Sequence, residues 1–162
     1  MEIEQRQAAL RLHPYGMYVI GSGEGEDVNG MTLNWITQVS FEPCLLAIAV
    51  KQAAHTRELI DRFGHFTVNV IGGGEAGIAL LKLFVKPQRR AGNKLGEAVD
   101  FRDGSLGAPI LADALAYAEC KVVSTQAGLG DHVLYVGEVV DAAVQHEGTP
   151  VMMTDAGWKY AG

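Results

Sequence analysis

The chain has 162 residues, 48% of them hydrophobic, which suits a single domain over residues 1–162 with a core of its own. A formal charge of -6 disfavours a nucleic acid binder, because that affinity rests on neutralising many phosphates with Lys and Arg. The N-terminal MEIEQRQ has no apolar h-region and no stretch of about 18 apolar residues occurs, so the expectation is a cytoplasmic protein with no membrane span.

Residues Glu2 to Leu12 carry helix formers with apolar side chains at helical spacing, and His13-Pro14 ends that helix. MYVIGS, from Met17 to Ser22, reads as a strand, and GEGEDVNG as a turn-rich loop. NGMTLNWITQVSF, from Asn29 to Phe41, then follows the two-residue period of a strand. Its odd positions Met31, Leu33, Trp35, Val39 and Phe41 are apolar, while Thr32, Asn34, Gln38 and Ser40 are polar but uncharged; Ile36 and Thr37 exchange faces. A strand face meant only for water usually carries Lys or Glu, so a row of hydroxyls and amides calls for another explanation.

CLLAIAVK, from Cys44 to Lys51, is a continuous apolar run that predicts a strand buried on both sides. HTRELIDRF is helical, with Leu59, Ile60 and Phe63 on one side; FTVNVI is a strand; Glu75 to Phe84 is a second helix. Beyond Gly104 the chain reads as β. AYAECKVVSTQA and HVLYVGEVVDAAV, joined by a Gly-rich turn, predict an antiparallel hairpin. Cys44 and Cys120 lie far apart in apolar surroundings, which excludes a metal knuckle or a CxxC pair and predicts two small core residues. Six or more strands with short helices point to a mainly β, closed or nearly closed antiparallel barrel, with an open sandwich as the alternative.

Gly72-x-Gly74-x-x-Gly77 follows a strand and precedes a helix, the setting of a dinucleotide fingerprint. No second parallel strand with a terminal acid follows, so the glycines read as a strand-to-helix turn. Lys82, Lys86, Arg89, Arg90 and Lys94 cluster with no acid among them, which outlines either an anion site or a solvated loop. The five histidines lack HxxxH or HxH spacing, so no metal site is expected. No G-x-S-x-G elbow surrounds Ser40, so Ser40, Asp131 and His132 do not predict a hydrolase.

LRLHPYGMYVI, NGMTLNWITQVSFEPCLLAIAVK, FTVNVI, GDHVLYVGEVVDA and the closing GWKYAG together resemble the flavin reductase-like, FMN-binding split-barrel proteins. The resemblance implies a homodimeric split β-barrel that binds FMN, with FAD as the alternative, and uses NAD(P)H as co-substrate. It gives the neutral polar face a purpose, since a flavin ring edge offers both donors and acceptors. It implies flavin contacts at Thr32, Leu33, Asn34, Trp35, Gln38, Val39 and Ser40, and phosphate contacts at Lys51, His55 and Thr56. Phe84, Lys86 and Lys94 match the segment that closes over the cofactor, and His132 matches a histidine beside the nicotinamide. Trp158 and Tyr160 are core or dimer-packing residues on this reading. The implied activity is an NAD(P)H-dependent flavin reductase serving a monooxygenase or electron-transfer partner; the alternative is a flavoredoxin-like carrier whose tightly bound FMN is reduced by a protein.

Overall fold

The computed structural model describes residues 2–85, 95 and 99–159. Three helices, α1 (Ile3–Leu10), α2 (His55–Phe63) and α3 (Gly74–Val85), accompany nine strands among these residues. The strands are β1 (Tyr18–Ser22), β2 (Asn29–Leu33), β3 (Ile36–Ser40), β4 (Leu45–Lys51), β5 (His65–Val70), β6 (Phe101–Asp103), β7 (Pro109–Leu111), β8 (Ala116–Gln126) and β9 (His132–Val144). Seven of them form one antiparallel sheet in the order β2-β1-β5-β8-β9-β4-β3.

That order forces the sheet to curl. Its two edge strands, β2 and β3, are consecutive in the chain and joined only by Asn34 and Trp35. Laid flat, seven strands would hold the edges about 29 Å apart. Leu33 and Ile36 are three residues apart and can be separated by at most about 11 Å. The sheet therefore rolls into a half-barrel with its edges brought round to Asn34-Trp35, and the run 29–41 is two strands rather than one.

Alternation along β1 divides the core in two. Ile20 faces an inner cluster with Leu33, Ile48, Val50, Phe66 and Tyr135, which α2 covers with Ile60. Val19 faces an outer cluster with Ile71, Leu81, Phe84, Leu111 and Val151. α2 is tied down where Tyr135 donates its hydroxyl to Asp61 at 2.5 Å, with Arg57 on the other carboxylate oxygen at 2.8 Å. Burial and then the Asp61 bond hold the Tyr135 phenol above its ordinary range.

The glycines of the apparent fingerprint have a packing role. A Cβ at Gly77 would lie 1.7 Å from the Gly72 carbonyl oxygen, so α3 can press on the end of β5 only where a side chain is missing. The next strand among the described residues, β6, pairs antiparallel with β7 in a separate hairpin instead of joining the sheet parallel to β5.

Buried polar groups fasten that hairpin to the barrel. Asn69 accepts from the Leu111 N–H at 2.8 Å and donates to the Val19 carbonyl at 3.1 Å, while the Thr67 hydroxyl donates to the Pro109 carbonyl at 2.6 Å. The Glu119 carboxylate accepts from the Ser105 N–H, the Leu106 N–H and the Ser105 hydroxyl at 3.0–3.2 Å.

Two expectations are corrected. Cys120 is a core residue, and burial, reinforced by Cys44 and Glu119, pushes its thiol up to about 12, but Cys44 is exposed on the turn that follows β3. β4 is buried in its middle rather than along its whole length. Ala47, Ile48 and Val50 are buried, but Leu45, Leu46 and Ala49 are only half-buried and Lys51 is exposed.

Candidate functional site

The corner that closes the curl opens a cleft of about 490 Å³. Met31, Thr32 and Leu33 of β2 and the linking Asn34 and Trp35 form one wall; Ala49 and Lys51 of β4 and His132 of β9 form another. Met17, Val85 at the end of α3, and Met153, Trp158 and Lys159 of the C-terminal segment complete it.

Local bonds set each wall. The Thr32 hydroxyl donates to the Leu81 carbonyl at 2.7 Å, which holds the last turn of α3 on β2. Phe84 fits the gap left by Gly30, where a Cβ would meet its ring at 2.7 Å, and the next residue, Val85, reaches the cleft. On the far wall the Trp35 carbonyl accepts from the Ala49 N–H at 3.1 Å. The tail is brought in by Met17 N–H to the Val151 carbonyl (3.0 Å) and Met153 N–H to the Tyr15 carbonyl (2.9 Å).

The Asn34 amide is sparsely engaged among the described residues. It donates to the Met153 sulfur at 3.5 Å, a weak acceptor that a ligand oxygen or nitrogen could replace. Lys51 and Lys159 bring positive charge, and among the described residues no carboxylate lines the cleft. His132 is paired across the sheet with Lys51, and its ring lies 4.6 Å from that of Trp35, tilted by 51°. His132 Nδ1 meets Asp131 Oδ1 at 2.7 Å. That bond, then the attraction of the imidazole in its protonated form and more weakly Lys51, hold the Asp131 carboxyl below the ordinary carboxylate range.

Thr32, Leu33, Asn34, Trp35, Lys51 and His132 thus come together in one cavity. The other expected contacts lie elsewhere. Gln38, Val39 and Ser40 belong to β3, past the break, and Gln38 instead lines a smaller apolar cavity of about 230 Å³ with Tyr18 and Tyr117. Phe84 is buried in the outer core. Thr56 is buried, its hydroxyl oxygen accepting from Asn29 at 2.8 Å, and His55 is exposed at the start of α2 with its Nδ1 on Glu58 at 2.9 Å. Lys86, Lys94 and Tyr160 lie outside the described residues. Trp158 is half-buried at the cleft.

Sequence reading missed Met17, Met31, Ala49, Val85, Met153 and Lys159 as cleft residues. Met31 and Ala49 sit on strands whose apolar faces were legible. Met153 and Lys159 carried no local signal, since the tail reaches the site through backbone bonds to distant residues.

A family model described as flavin reductase like domain matches residues 10–161. The chain is 31% identical over 131 residues to the NADH-dependent FMN reductase AsuE2 of Streptomyces nodosus subsp. asukaensis, covering 81% of this chain and 69% of that protein. It is 30% identical over 144 residues to the high molecular weight rubredoxin of Moorella thermoacetica, covering 88% of this chain but only 62% of that protein. The solved structure of flavin reductase PheA2 in its native state superposes with a TM-score of 0.79 at 28% identity, over 94% of this chain and 93% of the other.

Proposed function

Because the chain belongs to the flavin reductase like domain family, we propose that it is an NAD(P)H-dependent flavin reductase that holds its flavin in the cleft at Asn34-Trp35. The observation that carries this reading is the composition of one cavity: neutral hydrogen-bonding groups and apolar walls, with cations at the rim and no lining carboxylate among the described residues. A cavity of about 490 Å³ is within the range of about 300–1,000 Å³ usual for cofactor sites. We take FMN as the flavin, with FAD as the alternative, and the homodimer as the working form.

When bound, the flavin supplies the redox chemistry, accepting a hydride equivalent from NADH or NADPH and passing the electrons on. The protein supplies position and charge. Asn34 and the backbone around Thr32 and Leu33 would fix the polar edge of the ring, and Trp35, Met31 and Met153 would keep water from its faces. Lys51 would stabilise negative charge that grows on the ring as it is reduced. Beyond Lys51 the chain turns into α2, whose N-terminal N–H groups, with the exposed His55, would receive the phosphate, helped by Lys86 and Lys94. His132 would meet the nicotinamide. No side-chain nucleophile is required.

Similarity to a rubredoxin favours a second reading, an electron carrier whose bound FMN is reduced by a protein donor. Anaerobic addition of NADH or NADPH to the FMN-loaded protein separates the two. The reductase bleaches the yellow flavin absorbance within the mixing experiment. Bleaching by dithionite alone supports the carrier, and a protein that takes up no FMN ends both readings. Under the reductase reading, the reduced flavin serves a monooxygenase or an electron-transfer protein.

A further inference from the structure

We propose that Asp131 is a positioning residue that fixes the tautomer of His132, so that Nε2 faces a ligand in the cleft as a hydrogen-bond acceptor. A carboxylate can only accept, so the 2.7 Å contact places the proton of the neutral ring on Nδ1 and leaves the lone pair on Nε2. Among the described residues Nε2 has no hydrogen-bond partner. The ring is held from its face by Trp35, and its backbone by the register with Lys51.

Asp131 is itself fixed. Gln52 donates its backbone N–H to the Asp131 carbonyl at 2.9 Å and its side-chain amide to the Gly130 carbonyl at 2.6 Å. The turn before β9 is thereby stapled to the end of β4, although the Asp131 side chain is 81% exposed. An acceptor at Nε2 selects a ligand that offers an N–H at this point, as the carboxamide of a nicotinamide ring does. That ligand assignment rests on the flavin reductase reading; the tautomer does not.

The test has two arms. Nitrogen-15 NMR of the FMN-loaded protein should show the neutral His132 ring protonated at Nδ1, and Asp131→Ala should move the proton population toward Nε2. In steady-state assays Asp131→Ala should raise KM for the reduced nicotinamide nucleotide roughly tenfold, the scale of one lost hydrogen bond, while FMN affinity stays unchanged. In a His132→Ala background the same Asp131→Ala change should leave KM where it was, because Asp131 acts through the ring. A wild-type ring protonated at Nε2, or a KM effect of equal size in both backgrounds, overturns the proposal. If FMN binds but neither nucleotide is oxidised, the flavin reductase reading fails, and the nitrogen-15 shifts alone decide the tautomer.

Discussion

Two asparagines lie on neighbouring parts of the same curled sheet and are treated in opposite ways. Asn69, in the middle of β5, is fully buried and uses both ends of its amide: the oxygen accepts from Leu111, and the nitrogen donates to Val19 with Thr67 and Pro109 also within reach. Asn34, at the corner, makes one hydrogen bond among the described residues, to a sulfur. A polar group that serves the fold is saturated by the fold, because an unpaired buried group costs about 1–3 kcal/mol. One that serves a ligand keeps capacity in reserve. The contrast extends to carboxylates, since Glu119 accepts three bonds inside the protein while none lines the cleft among the described residues.

The sharpest way to test this division is to remove the saturated amide. Asn69→Ala takes this amide away from the Leu111 N–H and the Val19 carbonyl, while the Pro109 carbonyl keeps the Thr67 hydroxyl, and should lower stability by about 3 kcal/mol. Urea unfolding reads the loss, and FMN affinity measured on the folded fraction should not change. Glu119→Gln should be milder, at about 2 kcal/mol by the same measurement. It preserves shape, but its NH2 group must face one of the donors that the carboxylate now receives, either the Ser105 N–H or the Leu106 N–H with the Ser105 hydroxyl. A neutral result in both variants would mean that neither Asn69 nor Glu119 holds the hairpin β6-β7 in place.

How much of this was legible in the sequence follows from the range of each interaction. The long hairpin β8-β9, β1, β5 and the apolar stripe of α2 announce themselves by local periodicity. β6 and β7 do not, since three residues each are too few to show a period. The break after Leu33 left only a faint mark. The alternation of neutral polar and apolar residues slips at Ile36-Thr37, but that slip does not by itself say that the roll of the sheet sends Asn29–Leu33 and Ile36–Ser40 to opposite edges. Thr32, Asn34, Trp35, Lys51 and His132 were named from pattern and resemblance and share the cleft, whereas Phe84, named with them, is spent on the core against Gly30. Met153 arrives through tertiary bonds that no local pattern encodes.

On the cleft side the informative change is Asn34→Asp. It removes a donor and sets a like charge against an electron-rich ring edge, so FMN should bind about tenfold more weakly, a loss of about 1.4 kcal/mol. Because among the described residues the native amide holds only the Met153 sulfur, unfolding stability should stay within about 0.5 kcal/mol of wild type. Fluorescence quenching of FMN measures the first and urea titration the second. An unchanged affinity removes Asn34 from the site; a large fall in stability would place it with Asn69 instead.

The smallest expected effect is the one that separates the two halves of the broken run. Gln38 shares its neutral polar character with Asn34, but its amide donates to the Ser40 carbonyl at 3.1 Å and reaches the Cys44 sulfur at 3.7 Å, all within its own turn. Gln38→Ala should therefore change stability by less than about 0.5 kcal/mol and leave FMN affinity as it was. The same fluorescence titration decides it. Should affinity instead drop tenfold, β3 would belong to a flavin site after all. Since the curl carries that strand past the corner, away from the cleft of its own chain, the contact would then have to come from the edge of a second copy.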